Sequence, residues 1–154
     1  QIVNYTISSK DGSPVTFKIE QDNTRTYIYG DNLKVDMEDE RTSQYSYTYL
    51  YGNNSELNIN KSGYDTDIIV QGDENILNVN QANSDTDITI TGDNNTANTS
   101  ENIPINGIDI SVKGNGNTVG NIEKTSATSK SISLTAYPFI ETNNNKKTNI
   151  RKTC

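Results

Sequence analysis

The chain has 154 residues, which is room for one domain, and only 31% of them are hydrophobic. Ordinary globular domains carry roughly 45–50% apolar residues, so these numbers argue against a layered fold with a thick core. A formal net charge of −7 and the absence of His argue against general nucleic-acid affinity and remove the commonest general base and transition-metal ligand.

In chain order, residues 1–23 contain two alternating stretches, Val3/Tyr5/Ile7 and Val15/Phe17/Ile19, around Gly12. They predict one N-terminal coil or a cap. Residues 24–124 form five repeats. Gly30, Gly52, Gly72, Gly92 and Gly114 are spaced 22, 20, 20 and 22 residues apart, and the segments around them align. Residues 125–140, with Ile132/Leu134 and then Ala136-Tyr137-Pro138-Phe139-Ile140, predict a C-terminal coil or cap. The remainder, 141–154, is a basic tail (Lys146, Lys147, Arg151, Lys152) expected to be flexible, ending at the single Cys154. One Cys excludes an intrachain disulfide and a Cys-type zinc site.

Inside each repeat the apolar period is two. Before the glycine stand Thr26/Ile28, Thr48/Leu50, Ile68/Val70, Ile88/Ile90 and Ile110/Val112. After it stand Val35/Met37, Leu57/Ile59, Leu77/Val79, Ala97/Thr99 and Val119/Asn121. Alternation on both sides of a Gly-Asp or Gly-Asn turn describes strand–arch–strand. Two strands per 20–22 residues predict an all-β fold, a parallel β-solenoid of about six or seven coils. Coils stacked about 4.8 Å apart turn equivalent residues into columns. The scarce aliphatic residues then form a narrow core strip.

Three further columns stand out. Asn75, Asn95 and Asn117 share the parity of the core residues and predict an inward ladder of amides bonded to their copies above and below. Tyr27/Tyr29 align with Tyr49/Tyr51 as an outward aromatic patch. Asp67, Asp87 and Asp109 align with Asp65 and Asp85 beside them, where like charges repel by about 1 kcal/mol per pair even in water. This column reads as a solvated face. It is also a weak Ca²⁺ candidate, lacking the denser Gly-Gly-x-Gly-x-Asp spacing of calcium-binding β-rolls. No other metal and no cofactor is implied.

The unit Gly72-x-x-Asn75-x-Leu77-x-Val79-x-Gln81 resembles the curlin repeat of curli, the secreted functional amyloids of bacterial biofilms. Gly92-x-x-Asn95-x-Ala97 and Gly114-x-x-Asn117-x-Val119 match its middle, and the resemblance covers about residues 24–124. Leu33 and Ser55 stand where the family has Asn, and aliphatic columns replace its Gln ladders. The resemblance implies a β-solenoid that polymerises end to end on the cell surface or in a matrix.

Function is weighed on these features. No loop is long enough to wall a pocket and no His serves a nucleophile, so no enzyme is expected. Ice binding would need a repeated Thr-x-Thr face, and Thr89/Thr91 has Ile69/Gln71 and Ser111/Lys113 as neighbours. No run of 18 apolar residues exists to span a membrane. Gln1 in place of Met suggests a mature, secreted form. The expected role is a secreted structural subunit stacking head to tail with itself into a curli-like fibre, aided by a secretion or nucleation partner. The alternative is a monomeric, capped surface or adhesion module that binds carbohydrate or another protein. Four Asn-x-Ser/Thr sequons (Asn4, Asn53, Asn94, Asn98) are expected by chance in an Asn- and Thr-rich chain.

Overall fold

The structure, a computed structural model, describes residues 5–37, 46–62, 65–81, 85–99, 108–120 and 130–135. Among them all regular structure is β. The strands are β1 (Tyr5–Ser9), β2 (Phe17–Gln21), β3 (Arg25–Gly30), β4 (Leu33–Met37), β5 (Tyr47–Tyr51), β6 (Glu56–Lys61) and β7 (Asp67–Gln71). They continue as β8 (Ile76–Gln81), β9 (Thr86–Thr91), β10 (Thr96–Thr99), β11 (Ile108–Lys113), β12 (Thr118–Gly120) and β13 (Lys130–Thr135). No described helix is long and apolar enough to cross a membrane.

The fold is a parallel β-solenoid. Each pass of the chain lays one strand in a first sheet, turns through a glycine arch, and lays the next strand in a second sheet. β3, β5, β7, β9, β11 and β13 stack in parallel in the first, and β4, β6, β8, β10 and β12 in the second. The register is that of the sequence columns. Ile28, Leu50, Val70, Ile90 and Val112 are successive partners, as are Thr26, Thr48, Ile68, Ile88 and Ile110. In the second sheet Val35, Leu57, Leu77, Ala97 and Val119 follow one another, beside Met37, Ile59, Val79 and Thr99. All these side chains are buried, and the apolar ones form one continuous core. Because successive side chains of a strand point to opposite faces, a one-residue slip would exchange this core for the outer face, so the columns hold the register.

The N-terminal segment departs from a simple extra coil. β1 lies antiparallel on β4, and β2 lies antiparallel on β3. The cause is the turn between β2 and β3. Asp22-Asn23-Thr24 makes a tight turn, with the Asp22 N–H donating to the Arg25 carbonyl at 2.9 Å, so the chain folds back within its own sheet and Gln21 faces Thr26. Asp22 fastens this turn, its Oδ1 accepting the N–H groups of Thr24 (2.9 Å) and Arg25 (2.8 Å). Everything before Asp22 therefore winds in the reverse sense. Tyr5, Ile7, Val15 and Ile19 lie half-buried against the end of the core, and Phe17 is 45% exposed.

This reversal lowers the coil count. The parallel stack has about four turns, fewer than the six or seven coils expected, and the reversed first coil is one of those it lacks. At the other end β13 extends the first sheet, with Ile132 opposite Ile110 and Leu134 opposite Val112. Residues 136–140, the tail 141–154 and Cys154 lie outside the described residues.

The arches impose two local demands. A Cβ built on Gly92 would overlap the carbonyl oxygen of Gly72 one coil below, and the same holds at Gly52, Gly72 and Gly114. Gly92 also has a φ of +137°, where side chains are strained. Two residues beyond each glycine the backbone is left-handed: Asn32, Asn54, Glu74, Asn94 and Gly116. Asn and Gly suit that conformation and Glu does not. Gly92→Ala should lower the unfolding free energy by at least about 3 kcal/mol in urea titration. Glu74→Asn should raise it by about 0.5–1 kcal/mol, a gain that an exposed residue with no backbone strain would not show.

Candidate functional site

The geometry that recurs through the molecule is a clamp over each arch. Asn95 projects inward and reaches back one coil with both ends of its amide. Its Oδ1 accepts the N–H of Asn75 (2.7 Å) and its Nδ2 donates to the carbonyl of Gly72 (2.8 Å). Asn117 does the same to Asn95 and Gly92, and Asn75 to Ser55 and Gly52. All three Asn are buried. The inward ladder is thus side chain to backbone, where amide-to-amide bonds were expected. A strand bends through the arch there, which turns backbone groups inward and makes them the nearer partners.

The first two repeats lack Asn for the same reason. Ser55 Oγ accepts the Leu33 N–H at 3.0 Å, a shorter version of the clamp. Leu33 has only the reversed coil beneath it, with no parallel arch to hold, and is a fully buried apolar side chain.

A second column works in the opposite direction. Asp31, Asn53, Asp73 and Asp93, each just after the arch glycine, accept through Oδ1 the N–H of the equivalent residue in the following coil at 2.8–2.9 Å. The last described member is Asn115, whose buried Oδ1 has no partner among the described residues. On the outer face of the second sheet an amide chain runs Asn98 to Asn78 (2.9 Å), Asn78 to Asn58 (2.7 Å) and Asn58 to Asp36 (2.8 Å), each Nδ2 donating towards the N-terminal end. It lies along an open groove of about 560 Å³ that Thr6, Met37, Asn80 and Thr99 also line. The sequons Asn53 and Asn98 are therefore occupied in ladders.

The outer face of the first sheet carries the aromatic patch. Tyr27 stacks on Tyr49 with ring centroids 4.4 Å apart and planes 8° from parallel, and Tyr29 stacks on Tyr51 at 5.3 Å and 28°. Tyr47 extends the row, its ring 6.4 Å from that of Tyr49. Lys18 sits 5.0 Å from the Tyr29 ring and Arg25 5.1 Å from the Tyr47 ring, placing a cation at each border. Lost solvation pushes the phenols of Tyr29, Tyr49 and Tyr51 above their ordinary range.

In the next three coils the same face carries the acidic column, Asp67 being the register partner of Tyr47. Asp67, Asp87 and Asp109 are register partners on β7, β9 and β11. They stand in a line, one above another, instead of converging on a point. No group of three or more His, Cys, Asp or Glu among the described residues is disposed to hold a metal ion. Asp87, in the middle, is pushed up to about 6 by desolvation and then by the carboxylates of Asp109 and Asp67. Asp67 is also raised, chiefly by desolvation. Protonating Asp87 removes the repulsion it has with both neighbours.

Sequence reasoning placed the core columns and both stacked faces at these positions but missed the reversed coil, the second clamp column and the left-handed column. The Asp22-Asn23-Thr24 turn, which lacks the glycine of the arches and begins with a turn-forming Asp, was a usable signal for the first. For the left-handed column the signal was Asn or Gly at four of five equivalent positions.

The titration has a definite sign. Between 3.8 and about 6 the folded chain holds a proton on Asp87 that the unfolded chain has released. That contribution is complete on the acid side and is lost as the pH rises through 6. Asp11 and Asp22 are held below their ordinary range, by hydrogen bonds from Ser13 and from the Thr24 N–H respectively, so they weaken the fold only at still lower pH. The melting temperature should therefore fall from pH 4.5 to pH 7, and Asp87→Asn should flatten that slope and raise the value at pH 7. An unchanged slope in the variant would remove Asp87 as its source. No family model matches this chain, and neither does any curated protein or solved structure.

Proposed function

We propose that the chain is a rigid, self-limited β-solenoid module with a structural or adhesive role outside the cell and no catalysis. The observation that carries this reading is the reversal of winding at Asp22–Thr24. An open parallel coil offers a template for the next copy, and a backward-wound coil laid across it ends the parallel repeat. The two stacked outer faces then remain for contact with a carbohydrate or a protein surface.

A second reading, the head-to-tail fibre of the curli type, is favoured by one feature of the reversed coil. Tyr5, Ile7, Val15 and Ile19 are incompletely covered and Phe17 is exposed, so a second copy would bury further apolar surface there. The resemblance to curlin repeats supports the extracellular setting under either reading. Sedimentation velocity with negative-stain microscopy of the purified chain separates them. The module reading expects one monodisperse monomer across concentration. Long filaments with a meridional reflection at about 4.7–4.8 Å would replace it with the fibre.

A further inference from the structure

We propose that the paired tyrosines of β3 and β5 form an oxidative cross-linking site, at which Tyr27 and Tyr49 are joined covalently through their rings. The inference does not depend on the choice between module and fibre, because both partners belong to one chain. Five of the nine tyrosines stand on this face, in two adjacent strands, and the Tyr27 and Tyr49 rings are stacked at 4.4 Å and 8°. They are half-buried, and one face of each ring is covered by the other. That arrangement is poorly suited to a sugar, which stacks on an open ring face. It is well suited to coupling between rings.

The chemistry follows from the phenol. Loss of one electron and the hydroxyl proton gives a phenoxyl radical whose unpaired spin resides partly on the ring carbons flanking the C–O bond. Two such radicals held face to face form a carbon–carbon bond between those positions. The hydrogen on each bonded carbon then moves to its oxygen, which restores both aromatic rings. The oxidant is hydrogen peroxide acting through a haem peroxidase. One peroxide takes up the two hydrogen atoms and yields two waters, and the chain loses two hydrogens in mass. Tyr27 and Tyr49 partner each other in the β3–β5 register, so the backbone ladder holds the rings together with no search.

The link would close a 22-residue loop between the first and second repeats. A staple of that kind restricts the unfolded chain and leaves the folded one in place. It would fall beside the reversed coil, where the stack ends.

The test treats the folded full chain with a haem peroxidase and one equivalent of hydrogen peroxide, then reads dityrosine fluorescence and the fragment masses of the digest. The expected product is a monomer on a denaturing gel, in which fragments containing Tyr27 and Tyr49 are joined with a loss of two hydrogens. Tyr49→Phe keeps a stacked ring but has no oxidisable hydroxyl, so that product should be lost. Tyr29→Phe should leave it intact. The same treatment in denaturant should scatter links over all nine tyrosines and between molecules. Scattered or intermolecular links in the folded sample, no link at all, or survival of the product in Tyr49→Phe would overturn the proposal.

Discussion

The structure depends on one constraint: each arch must bring its backbone within hydrogen-bonding distance of the arch below, and every buried polar group there must find a partner. The glycine column makes the approach possible, because a Cβ at Gly52, Gly72, Gly92 or Gly114 would occupy the place of a carbonyl oxygen. The inward Asn then satisfies an N–H and that same carbonyl in a single side chain. Each bond adds about 1 kcal/mol when made, whereas each buried group left alone costs about 1–3 kcal/mol. Omitting the clamp would thus cost more than the clamp itself contributes. This asymmetry explains why an inward position so close to the core is given to Asn in three successive coils, and why Leu replaces it where no parallel arch lies beneath.

Polarity follows from the same bonds. The inward clamps and the outer Asn98–Asn78–Asn58–Asp36 chain reach towards the N-terminal end, whereas the Asp31–Asn53–Asp73–Asp93 column accepts from the C-terminal side. A coil is consequently unlike on its two sides. The N-terminal side is closed by a strand pair running backwards, helped by Asp11, whose Oδ1 accepts from Ser13 and from Asn32 Nδ2. On the C-terminal side the last described member of the acceptor column is Asn115, whose buried Oδ1 has no partner among the described residues.

Much of this was legible in the sequence because a solenoid converts spacing directly into neighbours. Ile68 and Ile88, at the same offset from their glycines, become register partners, and both are buried. Alternation carries no information about strand direction, however. Val15/Phe17/Ile19 has the same period whether β2 runs parallel or antiparallel to β3. The bonding of the inward Asn was hidden for a different reason. An Asn column in cross-β stacks bonds to itself when the backbone is straight, and bonds to the backbone when the chain bends, which spacing alone does not report.

In-register stacking also places like beside like without regard to whether the pair attracts. The spacing that stacks Tyr27 on Tyr49 and Asn78 on Asn58 equally stacks Asp87 between Asp67 and Asp109. Moving one carboxylate out of line would require a break in the backbone ladders of three coils. Protonating it leaves those ladders intact, so the acidic column adjusts its charge and the fold keeps its register. The low apolar fraction belongs to the same logic. A strip two side chains wide on each strand suffices when backbone and amide ladders carry the remaining contacts between coils, and the outer columns are then free to be acidic, aromatic or amide.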